Sequence, residues 1–175
     1  MTGIPEYFLH AELALACYGD FAGSVPTVAE LTKDSVGMSD AQARRFARDW
    51  RVVDQYTHSE VIEYIDEFGN PQQVETRNGL SVTLFEEAGT GKRHLAIRGT
   101  DDVGDILTDW FDIAILGAAK YQGQYQTLKL KVQEWLADPA RLQGRTFTVA
   151  GHSLGGFLAT ALTAYTAGSA YVNRN

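Results

Sequence analysis

Six residues, Gly151-His152-Ser153-Leu154-Gly155-Gly156, restrict what this chain can fold into more than any other stretch. Before them, residues 145–150 (Arg-Thr-Phe-Thr-Val-Ala) make a short β-branched and aromatic run that reads as a strand. After them, residues 154–167 are rich in Ala and Leu, and Leu154, Leu158, Ala161, Leu162 and Tyr165 recur at helical spacing. A strand must therefore become a helix across a very tight turn. Such a turn leaves no room for side chains beside its tip, which explains Gly151 and Gly155; glycine also tolerates backbone angles that a Cβ forbids. Ser153 stands at the tip. It should project from the strand end at the positive N-terminus of the following helix.

The remaining composition sets limits around that unit. The chain has 175 residues, enough for one domain with a real core, and residues 1–175 are taken as a single domain. With 45% hydrophobic and 21% charged residues it reads as folded rather than disordered. A net charge of −7 argues against a nucleic-acid surface. The one cysteine, Cys17, excludes an internal disulfide, and its apolar helical setting suits a small buried side chain better than a reactive thiol. Cys and His show no metal-site spacing. No conventional signal peptide is visible and no apolar run approaches bilayer-spanning length, so the compartment stays open, export by an unconventional route included.

In chain order, residues 6–18 form an apolar helix that should be largely buried, with Pro5 in its first turn and Gly19 as its stop. Thr27–Glu30 and Ser39–Gln42 are capping-box patterns. They predict a short helix to about Lys33 and a longer one to about Asp49, with Ala43, Phe46, Ala47 and Trp50 inward and Arg44, Arg45 and Arg48 on a solvated face. Strands are expected over residues 51–56, 61–66, 80–87 and 93–98, with turns at Phe68–Pro71 and Asn78-Gly79. The Gly91-Lys92 loop fails as a phosphate-binding loop, because Glu86 stands where the leading glycine belongs and no helix follows. Residues 106–116 should begin as a helical turn and end as a strand. Residues 124–137 form an amphipathic helix with Tyr125, Leu128, Val132, Trp135 and Leu136 aligned, ended by Asp138-Pro139. Residues 170–172 read as a last extended piece.

A serine nucleophile needs a base to take its proton, a group to orient that base, and donors for the oxyanion. The N–H of Leu154, next after Ser153, is one candidate donor; the end of an earlier strand, at Arg98-Gly99-Thr100, offers another. Taken together, Leu95-Ala96-Ile97-Arg98-Gly99-Thr100, the segment from Asp105 to Asp112, and Val149-Ala150 leading into the glycine-flanked Ser153 resemble the class 3 lipases of the α/β-hydrolase superfamily. The resemblance covers about residues 80–167. It implies an α/β fold of three layers with a central mixed sheet, and hydrolysis of lipid esters without a cofactor. It gives Ser153 the role of nucleophile and makes Gly151, His152 and Gly155 its elbow. It makes Leu154 and Thr100 the oxyanion hole. It also makes the segment up to Trp110 a lid, with Asp102, Ile106 and Trp110 as its candidate residues. Asp101, Asp102, Asp105, Asp109 and Asp112 are dense enough to raise calcium, but their spacing does not match an EF-hand loop, so a solvated rim is expected.

The chain departs from that family in one respect. Its order of catalytic groups is Ser, Asp, His, yet no Asp, Glu or His follows Ser153. Of the four histidines, His152 should point away from Ser153, His94 lies at the far end of its strand, His58 sits in a turn and His10 in the first helix. One explanation is that these residues are the N-terminal part of a larger hydrolase, with the sheet incomplete on its C-terminal side. Another is a complete, catalytically inert lipid-binding or partner-binding module. The first is favoured. A thioesterase or peptidase on the same fold is the alternative chemistry, and a sheet edge left exposed would favour self-association.

Overall fold

The structure is a computed structural model, which describes residues 4–58, 60–65, 70–76, 80–98, 110–152 and 154–166. Three helices come first: α1 (Ile4–Ala16), α2 (Val28–Leu31) and α3 (Asp40–Asp49). Five strands follow: β1 (Trp50–Thr57), β2 (Glu60–Ile65), β3 (Pro71–Thr76), β4 (Ser81–Glu87) and β5 (Arg93–Arg98). Then come α4 (Trp110–Ala137), β6 (Phe147–Gly151) and α5 (Leu154–Thr166).

Among the described residues, four strands make the main sheet, in the order β1-β4-β5-β6. β1, β4 and β5 pair antiparallel, and β6 joins β5 in parallel. The β1–β4 register slips between Val52 and Asp54. A second, two-stranded sheet pairs β2 with β3.

Alternation along each strand divides the core into two layers. Val82, Leu84, Leu95, Ile97 and Phe147 pack with Leu128, Val132 and Trp135 of α4 and with Leu158 and Leu162 of α5. The opposite face presents Trp50, Val52, Phe85, Ala96 and Ala150 to Leu13 and Ala16 of α1 and to Ala43 and Phe46 of α3. Helices thus cover both faces of a mixed sheet, the three-layer α/β-hydrolase-type arrangement expected above.

Signals carried by neighbouring residues correspond to local interactions in the structure. Both capping boxes form: Glu30 N–H donates to Thr27 Oγ1 (3.2 Å) while Thr27 N–H donates to Glu30 (2.8 Å), and Ser39 and Gln42 exchange the equivalent pair. α3 turns Ala43 and Phe46 inward, and Arg45 and Arg48 stay on the outer side paired to Glu12 and Asp49.

Three expectations need correction. α1 is buried along one side only: Leu13, Ala16 and Cys17 are inaccessible, but Tyr7 and Phe8 are 65% and 52% exposed. Residues 113–116, expected to be a strand, lie inside α4, whose helix runs unbroken from Trp110. A short apolar run fits a buried strand or a helix equally, and the helix-forming Ala118, Ala119 and Lys120 beyond it carry the helix through. β3 is an unexpected strand, opening at Pro71, a position where a strand tolerates proline. Of the expected turn at Phe68–Pro71, residues 68 and 69 lie outside the described residues and Pro71 opens β3; the turn at 78–79 and the extended piece at 170–172 also lie outside them.

Candidate active site

The strand-to-helix turn has the close packing its glycines imply. β6 ends at Gly151 and α5 starts at Leu154. A Cβ on Gly151 would fall on the carbonyl of Gly155 and come within 2.7 Å of Gly156 N. A Cβ on Gly155 would fall on the carbonyl oxygen of Ile97, within 2.9 Å of its carbon and 3.1 Å of Arg98 C. Gly156 is less confined, with Gly151 O at 3.3 Å. The first turn of α5 is therefore pressed backbone to backbone against the C-terminal ends of two strands, β5 and β6. A parallel pair with a helix N-terminus at its C-terminal end is where open α/β sheets place ligands.

Leu154, the expected oxyanion donor, is the first residue of α5, so its N–H is among those that no helical carbonyl accepts. His152 is exposed, and its Nδ1 lies 3.1 Å from the Tyr18 hydroxyl. Ser153, Thr100, and the lid candidates Asp102 and Ile106 lie outside the described residues, as do Asp101, Asp105 and Asp109 of the acidic run. Trp110 opens α4. Among the described residues, no cluster of His, Cys, Asp and Glu is arranged to hold a metal. No described helix is long and apolar enough to cross a membrane.

A cavity of about 810 Å³ opens beside the turn. α1 supplies His10, Ala14 and Tyr18, and the turn and α5 supply His152, Gly156 and Ala159. Small residues leave this space open between the two helices over the end of β6.

The histidines occupy distinct settings. His94 Nδ1 is 2.7 Å from Thr148 Oγ1, and its ring meets Trp50 edge-on at 5.0 Å. Burial, helped by nearby His10, pushes its pKa down from 6.5 to about 4. It is thus a neutral residue of the sheet face. His58 was expected in an exposed turn; it is half-buried instead, with Nδ1 3.0 Å from Tyr56 Oη and its N–H donating to Leu80 O.

His94 has a consequence for stability. Between pH 6.5 and about 4 the unfolded chain binds a proton at this site that the folded chain refuses. Its contribution is complete above pH 6.5 and is lost as pH falls toward 4. The gap corresponds to about 3 kcal/mol. Urea unfolding at pH 7.5 and pH 4.5 should show the wild type losing more stability than His94→Gln; parallel losses would contradict this assignment.

No protein-family model matches the sequence, and no curated protein matches it. Among solved structures the chain is similar to a lipase from Rhizopus microsporus var. chinensis, at 12% identity and a TM-score of 0.47 over 96% of this chain and 53% of that one. It is also similar to the nonglycosylated LIP2 lipase of Yarrowia lipolytica, at 17% identity and a TM-score of 0.48 over 93% of this chain and 55% of that one. The chain spans about half the length of each.

In the sequence Tyr18 reads as the end of a helix. It stands on the turn after α1, yet it reaches His152 across 134 positions of sequence. Helical spacing carries no signal for a contact of that range.

Proposed function

We propose that this chain carries the nucleophile region of a serine ester hydrolase of the class 3 lipase type, acting on lipid esters. The observation that carries the reading is the backbone packing of Gly151 and Gly155, which flank Ser153 in the sequence and which any bulkier residue would disrupt. Ser153 Oγ attacks the ester carbonyl. The N–H of Leu154 and Thr100 hold the oxyanion, and segment 101–110, with Asp102, Ile106 and Trp110, serves as a lid. No cofactor is required, and calcium at the acidic run is not part of the reaction. The base and its orienting carboxylate do not follow Ser153 in this sequence, and His94 and His58 are held by Thr148 and Tyr56. With neither group assigned, the catalysis proposed for the turn rests on oxyanion stabilisation and binding, which alone provide roughly 10³-fold over water. Among the described residues β6 is bonded on one side only, by β5, and we propose self-association through that edge.

The test is covalent capture by a lipid-like phosphonate ester. The adduct should map to the tryptic peptide from Thr146 to Arg174 and vanish in Ser153→Ala. A second reading, a lipid-binding module, draws on the cavity of about 810 Å³ beside the turn. Vesicle binding that survives Ser153→Ala, with no adduct in the wild type, would favour it.

A further inference from the structure

We infer that Tyr18 is a positioning residue that ties together the two strand ends carrying the oxyanion donors; this rests on the function proposed above. The turn that bears it is fixed to the protein. Cys17 N–H donates to Leu13 O at 3.0 Å and Gly19 N–H to Ala16 O at 2.9 Å, which closes the end of α1. Gln55 of β1 donates to Gly19 O at 2.8 Å and accepts from Phe21 N–H at 3.1 Å, so the main sheet grips the turn on both sides of Asp20. The same amide donates to Thr83 Oγ1 of β4 at 2.9 Å.

From that anchor the Tyr18 ring reaches both shoulders of the site. Its hydroxyl lies 3.1 Å from His152 Nδ1, and the two rings meet edge-on with centroids 6.0 Å apart and planes at 67°. Its face lies 6.0 Å from the Arg98 guanidinium carbon, a cation–π arrangement. Arg98 ends β5, two positions before Thr100, and His152 immediately precedes Ser153. An exposed residue in so short a link needs an outside contact to hold one orientation. Oxyanion donors act through preorganisation, so rotation of the chain at residues 152–154 would cost rate without unfolding anything. Tyr18 also walls the cavity beside the turn, so it touches the space a bound acyl group would enter.

The experiment measures the second-order rate of phosphonate capture at Ser153. In Tyr18→Phe the ring stays beside Arg98 and the bond to His152 is lost. The rate should fall roughly threefold to tenfold, the value of one hydrogen bond, with an unchanged melting temperature. In a His152→Ala background the same substitution should have no further effect, whereas a merely structural Tyr18 would lower both backgrounds alike. A Tyr18→Phe rate equal to wild type, or equal losses in the two backgrounds, would overturn the inference and leave Ser153 as nucleophile untouched. If the wild type is not captured at Ser153 at all, the proposed function falls. The His152 ring nitrogen shifts, read by NMR, then decide alone: they should move in Tyr18→Phe, and unmoved shifts would overturn the contact itself.

Discussion

Gly155→Ala should destabilise the protein severely, by about 3 kcal/mol or more, although it places the best helix former in a helix. Helix propensity alone would favour alanine by about 1 kcal/mol. Packing decides the other way. The added Cβ would coincide with the carbonyl oxygen of Ile97, in the middle of the sheet and bonded between β4 and β6. A flexible side chain could move aside; a strand backbone held on both edges cannot, so α5 would have to lift from β5. Overpacking in a core costs typically 1–3 kcal/mol, and backbone against backbone belongs at the upper end or above it. Gly151→Ala should behave similarly, because its Cβ meets the backbone of Gly155. Gly123→Ala is the internal control: it lies in α4 with nothing within 4 Å of its Cβ, so propensity should win and stability should rise. Urea denaturation of the three variants checks the order, and a neutral Gly155→Ala would show that the turn is looser than described.

Trp135→Ala is expected to cost about 3–5 kcal/mol, as large aromatic truncations in cores do. Trp135 is fully buried between α4 and the sheet, packed with Leu80, Val82, Leu84 and Leu95. Its Nε1 donates to Asp54 Oδ2 at 2.8 Å, and Arg141 Nε donates to the same oxygen at 2.5 Å. This cluster joins β1, α4 and the loop after α4 through one carboxylate. Alanine would remove the ring and open a cavity, while Asp54 kept its arginine. Trp135→Phe separates the two contributions: it fills most of the volume and loses only the N–H, so its cost should be near 1 kcal/mol. Similar losses for both variants would mean that the hydrogen bond, rather than the packing, dominates.

These cases show what the chain's letters reveal and what they hide. Capping boxes span three positions, and Thr27–Glu30 and Ser39–Gln42 formed as read. β4 and β5 were legible because Val82, Leu84, Leu95 and Ile97 alternate toward a single apolar layer. β3 was not, because Pro-Gln-Gln-Val-Glu-Thr offers one apolar residue and, among the described residues, pairs with β2 alone. Tyr165, at helical spacing with the buried Leu158 and Leu162, is 52% exposed; its hydroxyl accepts from Gln133 and its ring lies under Lys129, both of α4. Amphipathic spacing finds a helix face but not which of its edge residues lies over a neighbouring helix. The tight turn between β6 and α5 was legible because its glycine requirement is local. Tyr18 was hidden because its reason lies at the other end of the sequence.

The claim that most needs testing is that Ser153 is a nucleophile. The direct measurement is phosphonate capture by the 175-residue chain, followed by intact mass and peptide mapping. The account predicts a single adduct on Ser153 that is absent in Ser153→Ala. An adduct that persists in Ser153→Ala, or no adduct at all, would contradict the nucleophile.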